Sequence, residues 1–214
     1  MAGLIITVAQ QKGGSGKTTM SAHLATALAY SGMSVAILDC DPQGSLGEWF
    51  EAREQALGED ETGLTFRTAS GWGARREARN LAGSHDAVVI DTPPKTDTEA
   101  RPAIEAATLV VVPVQPSPMD VWACGSTIAL AGKERTPALL VLNRVPPRAA
   151  ITEEMAEALG EIEAPLAKTR IGNRVGFAGA MKQGLVIMDT DRSGKGAAEM
   201  EALRAEVMKE ARAV

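Results

Sequence analysis

The 214-residue chain is predicted to be an α/β protein, a doubly wound, mostly parallel sheet flanked by helices. Three observations carry this. Short apolar runs alternate with segments of helical length. The runs are rich in Val, Ile and Leu with little polar alternation, as in strands buried on both faces. A glycine-rich turn at Lys12–Thr19 joins the first apolar run to a helix-compatible one, and ligands in such sheets sit at the carboxyl ends of strands.

The elements follow in order. Leu4–Gln10 is the first strand, and Thr18–Ser31 the helix that leaves the glycine turn. Ser34–Asp39 is apolar up to its terminal acid and leads into a helix over Gly44–Leu57. Gly58–Gly63 is acidic and polar, so an exposed loop is expected before the strand Leu64–Arg67 and the helix Arg75–Ala82. Ala87–Asp91 places four apolar residues before Asp. Leu109–Val114 runs into Pro116-Ser117-Pro118, a loop signal ahead of the helix Asp120–Gly132. Strands over Leu139–Asn143 and Ala164–Arg170, and helices over Ile151–Leu159 and Ala197–Ala213, complete a single domain over residues 1–214.

Composition excludes several classes. Aromatic residues make up 3% of the chain, so the core must be built from Ala, Val, Leu, Ile and Met. A net charge of −5 means that any nucleic-acid surface must be local. Cys40 and Cys124 have no metal or redox spacing, and a reduced, cytoplasmic protein is expected. The start has no secretory pattern, and no run approaches the roughly 20 apolar residues that span a bilayer.

The chemistry concentrates at strand ends. In Lys12-Gly13-Gly14-Ser15-Gly16-Lys17-Thr18-Thr19, the glycines allow a tight bend that turns backbone N–H groups on an anion. Lys17 supplies charge for β- and γ-phosphates, and the Thr18 hydroxyl can ligate Mg²⁺. The usual phosphate-loop pattern wants glycine where Gln11 stands. A second lysine, Lys12, opens the loop instead, which suggests a phosphate approached from across a dimer interface. Of Asp39 and Asp41, one can face Mg²⁺ while the other orients a water or caps the next helix. Asp91 has the position of an Mg²⁺-supporting acid at a strand end. Asn143 offers a donor and an acceptor suited to a purine edge or to a turn. Lys168, Arg170, Arg174, Lys182, Arg192 and Lys195 form a local basic stretch, able to meet a phosphate backbone without reading bases.

With these residues in place, the chain resembles the ParA/MinD group of deviant Walker-type ATPases, and within it the short ParA proteins that lack an N-terminal helix-turn-helix domain. The matching motifs are Lys12–Thr19, Asp39–Gln43, Val89–Pro94, Val112–Asp120, Gly184–Ile187 and Ser193–Ala197, essentially end to end. Ser15 departs from the Val common at that position. The resemblance implies a P-loop NTPase fold of the deviant Walker A type, with ATP and Mg²⁺ as cofactors. It implies that Lys12 reaches the partner's nucleotide, Lys17 binds β/γ-phosphates, Thr18 ligates Mg²⁺ and Thr19 contacts the α-phosphate. Asp41 would position the attacking water, Asp39 would be structural or near Mg²⁺, Asp91 would hold Mg²⁺ through water, and Asn143 would contact adenine. Arg174 and Lys195 would bind DNA non-specifically. The implied partners are a second copy when ATP is bound, nucleoid DNA and a ParB-like or other ATPase-stimulating protein on a cargo such as a plasmid or a chemoreceptor cluster.

The rival expectation is a MinD-like cycle on membrane. Met200, Leu203, Val207 and Met208 have helical spacing, but Glu199, Glu201, Glu206 and Glu210 accompany them, so packing on the domain is expected and stable membrane association is not. A ligase built on the same loop would need room for a second substrate. An iron–sulfur reductase would need a cysteine pattern that is absent.

Overall fold

A computed structural model describes residues 2–94 and 97–213, the side chain of Asp97 excepted. Six strands, β1 (Leu4–Val8), β2 (Val35–Asp39), β3 (Thr65–Thr68), β4 (Ala87–Asp91), β5 (Leu109–Val114) and β6 (Ala138–Leu142), form one sheet. Its order is β3-β2-β4-β1-β5-β6, and every pairing is parallel. The helices are α1 (Lys17–Tyr30), α2 (Ser45–Leu57), α3 (Gly71–Ala82), α4 (Asp97–Ala106), α5 (Pro118–Lys133), α6 (Ile151–Gly160), α7 (Val175–Met181), α8 (Ile187–Thr190) and α9 (Lys195–Arg212).

Side chains alternate across the central strands, and the two faces are covered separately. Ile6, Val8, Ile37 and Val89 pack with α1, α2 and α9. Ile5, Leu38, Val88 and Ile90 pack with α3 and α4. Small side chains let α1 lie close, with Ala22, Leu24, Ala25 and Leu28 fully buried. Met200, Leu203, Val207 and Met208 of α9 are buried in the same cluster, as their spacing led us to expect.

The structure corrects the reading of Ala164–Arg170 as a strand. The segment runs beside β6 and touches it at the isolated bridge Leu140↔Leu166, followed by Val145↔Gly172. Pro165 offers only its carbonyl, taken by the Leu140 N–H at 2.9 Å, so no regular ladder forms. Helix α4 occupies a stretch where the sequence suggested none, because Pro102 and its mixed charges hid the period. Helix α3 begins four residues earlier than expected. In the acidic loop, Glu59–Glu61 forms a 3-10 turn and Thr62 turns inward, its carbonyl accepting the Arg53 Nε–H at 3.0 Å. Arg53, 1% exposed, also donates to Asp189 at 3.0 Å and so ties α2 to the segment before α9.

Candidate nucleotide-binding site

The loop after β1 turns because two residues take the left-handed region, Gly14 at φ 80° and Gly16 at φ 94°. At Gly16 space matters as well, since a Cβ would lie 2.6 Å from Asn143 Nδ2. Helix α1 follows with no side-chain cap at Gly16, so the N–H groups of its first turn face the loop, where an anion is favoured.

Three side chains from other strand ends brace this loop by its carbonyls. Asn143, just after β6, donates from Nδ2 to Ser15 O at 2.9 Å and accepts the Arg144 N–H at 2.9 Å. Arg144, itself at φ 52°, donates to Gly14 O at 3.1 Å. Gln115, just after β5, donates to the same carbonyl at 2.8 Å. Arg144 and Gln115 were missed by sequence reasoning. Their one visible signal is position, since each stands within two residues of a strand's end.

Beneath the loop lies an acid–hydroxyl cluster. Thr18 Oγ donates to Asp91 at 2.7 Å, and Ser21 Oγ donates to the other carboxylate oxygen at 3.0 Å. Asp91 is 1% exposed. Burial raises its pKa to about 7, against the lowering effect of the Thr18 bond and with the Asp39 charge adding to the rise. Asp39 is the register neighbour of Asp91 across β2 and β4. Its own oxygens accept the Asp41 N–H at 2.9 Å and the Gly47 N–H at 3.2 Å, so it shapes the turn into α2. Lys17 is held near Asp91 and Asp41, and burial pulls its pKa below the usual lysine value while those acids oppose the fall.

Asp41 accepts the Gln43 N–H at 2.9 Å, fixing the turn that carries it. It faces a cavity of about 650 Å³ together with Gly13, Gly14, Gly16, Lys17, Thr18, Thr19 and Arg144. A second cavity of about 520 Å³ shares Thr19 and Arg144 with the first and extends past Asn143 to Asn173 and Phe177. The two make a trough, with Lys17 and Asp41 at one end and Met20, Asn143, Ile171 and Phe177 at the other. Thr19 lines both parts, and its carbonyl meets Nδ1 of the buried His23 at 2.8 Å.

Magnesium suits this chemistry. Among the described residues no cluster of three or more His, Cys, Asp or Glu side chains gathers. Mg²⁺ is ordinarily held through one or two protein groups plus phosphates and water, which the Thr18–Asp91 pair can supply.

Of the other expected site residues, Lys12 does not line either cavity while Arg174 lines the second, and both are engaged within the chain. Lys12 forms an ion pair with Asp120, the N-terminal acid of α5, and Asp120 is 1% exposed. Arg174 and Lys195 come together at one end of α7 and α9, where the Arg174 Cδ would lie 3.5 Å from a Cβ at Gly196. Arg174 is paired with Glu199, and Arg170 with Glu153, so two of the six basic residues of the expected stretch are neutralised within the chain.

Residues 6–187 match the family model described as the CobQ/CobB/MinD/ParA nucleotide binding domain. A protein of Halothiobacillus neapolitanus, maintenance of carboxysome distribution protein A, is 30% identical over 208 residues, 91% of each chain. The solved cell division ATPase MinD of Pyrococcus furiosus superposes with a TM-score of 0.81 at 21% identity, covering 97% of this chain and 99% of that one. A variant of McdA from Cyanothece in complex with ATP superposes with a TM-score of 0.78 at 17% identity, covering 100% of this chain and 97% of that one. The loop, the acid cluster beneath it and the trough above therefore stand on a shared scaffold, and the chain belongs to the CobQ/CobB/MinD/ParA nucleotide-binding-domain family.

Proposed function

We propose that the chain is a ParA/MinD-type positioning or partition ATPase that pairs with a second copy around ATP and holds DNA in that state. The observation that carries this reading is the convergence of Lys17, Thr18 and Asp41 on one trough, with Asp91 held by Thr18 beneath it and a second lysine, Lys12, at the start of the same loop. The loop N–H groups and Lys17 would bind the β- and γ-phosphates. Thr19 would meet the α-phosphate, and Asn143 with the Ile171 and Phe177 end of the trough would take the base. Thr18 and Asp91 would hold Mg²⁺, which neutralises phosphate charge. Asp41 would orient the attacking water, since its carboxylate faces the same space as Lys17. Asp39 acts through the backbone, by shaping the turn that presents Asp41.

Lys12 would leave Asp120 and pair with the partner's phosphates, making ATP part of the dimer interface. Two weak basic faces, around Arg174 and Lys195, would then act as one bivalent DNA-binding surface. Turnover stimulated by a cargo-bound partner would release it, so this bivalent surface would hold the nucleoid only in the ATP state. The relative from Halothiobacillus favours a large protein assembly as cargo. The membrane-cycling alternative is disfavoured because the apolar residues of α9 are buried, and no helix among the described residues is long and apolar enough to cross a membrane.

ATP turnover and retention on DNA test the reading. Lys17→Ala is expected to lose nucleotide binding. Asp41→Ala is expected to keep ATP binding and DNA retention while losing turnover. ATP affinity surviving Lys17→Ala would overturn the assignment of the trough.

A further inference from the structure

Helix α3 carries a feature that ATP chemistry does not use. Trp72 is 97% exposed, whereas Trp49 is 4% exposed. Arg75, Arg76 and Arg79 stand three, four and seven positions beyond Trp72, so all four lie within an arc of about 100° on one helical face. Ala74, Ala78 and Leu81 on the far side, with Ala82 at the helix end, are buried against the sheet. The helix therefore has no apolar side left for a lipid surface.

The arginines are available. Arg75 meets Glu105 at 2.7 Å, but both side chains are over a third exposed and the pair is weak. The Arg76 and Arg79 side chains make no hydrogen bond or ion pair among the described residues. Arg67 of the edge strand β3 extends the patch: Phe66 stacks on Phe50 of α2, so the next side chain points to the α3 side of the sheet. Glu77, the one acid on α3, lies about 140° around the helix from Trp72.

We infer that this face of α3 is a nucleic-acid contact surface, with Arg75, Arg76 and Arg79 on phosphates and Trp72 stacked on an unpaired base. Regular guanidinium spacing fits a regular polyanion. From Trp72 to Arg79 the helix rises about 10 Å, or about three nucleotides of one strand. A fully exposed indole beside arginines supplies the base-stacking part of single-strand recognition. The face lies across the sheet from Arg174 and Lys195, so binding here needs neither ATP nor dimerisation, and it goes beyond the proposed function without resting on it.

The test is fluorescence anisotropy of labelled oligothymidylate and of a short duplex with the nucleotide-free protein, at several salt concentrations. Charge reversal by Arg76→Glu with Arg79→Glu is expected to weaken both at least about tenfold and to lower the single-strand salt slope by about 1.4. Trp72→Ala is expected to weaken the single strand about tenfold and the duplex much less. ATP turnover of the charge-reversed protein stays at the parent value. Unchanged oligonucleotide affinity in that protein, loss only in Arg174→Glu with Lys195→Glu, equal loss of both oligonucleotides in Trp72→Ala, or binding only to phosphatidylglycerol vesicles would each overturn the inference. None of these outcomes touches the ATPase reading, which stands or falls on Lys17 and Asp41.

Discussion

The Lys12 ammonium is held by the Asp120 carboxylate of the same chain across 108 positions of sequence. Ser117 Oγ donates to that carboxylate at 2.5 Å, while the other oxygen, Oδ1, is buried without a partner. Asp120 thus depends on Lys12 for most of its compensation. In the proposed dimer, a lysine that left for a partner's phosphate would strip a buried acid of its cation, so the intrachain pair would oppose dimerisation until ATP supplied a stronger one.

This asymmetry is measurable. Lys12→Ala leaves the Asp120 charge buried and is expected to lower stability by about 1–2 kcal/mol, reduced from the buried-pair range because the lysine is partly exposed. Adding Asp120→Asn removes the stranded charge and should recover most of the loss in urea unfolding. Equal stability of the parent, the single and the double variants would show that the pair is incidental.

Gly16→Ala combines two penalties, a left-handed φ of 94° and a Cβ placed 2.6 Å from Asn143 Nδ2. Backbone strain alone costs about 1–2 kcal/mol. The displaced Asn143 would also release the Ser15 carbonyl. ATP affinity is expected to fall at least about tenfold by calorimetry, with Asn143→Ala falling less because the loop glycine keeps its conformation. Parent-like affinity in Gly16→Ala would contradict the bracing role of Asn143.

In its proposed role, Asp91 would link Mg²⁺ binding to pH. Its folded pKa, about 7, lies above the ordinary 3.8, so the fold favours the neutral acid between those values. Its contribution to stability is therefore fully present below 3.8 and is lost as pH rises towards 7. Holding Mg²⁺ requires the carboxylate, so Mg²⁺-dependent ATP affinity should fall as pH drops below 7, approaching about tenfold per unit. Asp91→Asn should abolish the Mg²⁺ dependence and flatten the pH profile. A steep profile retained in that variant would place the titrating group elsewhere.

His23 makes the opposite linkage. It is 1% exposed, with Nδ1 against Thr19 O and Nε2 accepting the Ile187 N–H at 3.0 Å, and burial lowers its pKa to about 4. A folded pKa below the unfolded 6.5 means that stability is full above 6.5 and declines as pH falls towards 4. The loss should reach about 2 kcal/mol by pH 5. Denaturant unfolding of the parent against His23→Gln at pH 7.5 and pH 5 checks this, and an equal pH response of the two proteins would rule it out.

The strands buried on both faces were legible because their sequences are unbroken runs such as Ala87–Asp91. The loop at Lys12–Thr19 was legible because its chemistry is local. Ala164–Arg170 misled because an apolar run beside a strand resembles one, and the missing Pro165 N–H does not show in a hydropathy pattern. Helix α7 was hidden by Gly176 and Gly179, which weaken any propensity signal. The contacts that assemble the site were invisible for another reason. Asn143 braces Ser15 across 128 positions and Thr18 meets Asp91 across 73, and no local period encodes such pairs. The neutralising partners of Arg174 and Arg170 were missed likewise, so charge counted along the chain overstated the basic surface.

The most direct measurement is the mass of the protein in solution, by light scattering on a sizing column, with saturating ATP and Mg²⁺ in an Asp41→Ala background expected to bind ATP without turning it over. The expected result is twice the mass of one chain with ATP, a single chain with ADP, and a single chain with ATP once Lys12→Ala is added. A single chain with ATP in the Asp41→Ala protein, or a dimer indifferent to Lys12, would contradict an interface built on the nucleotide.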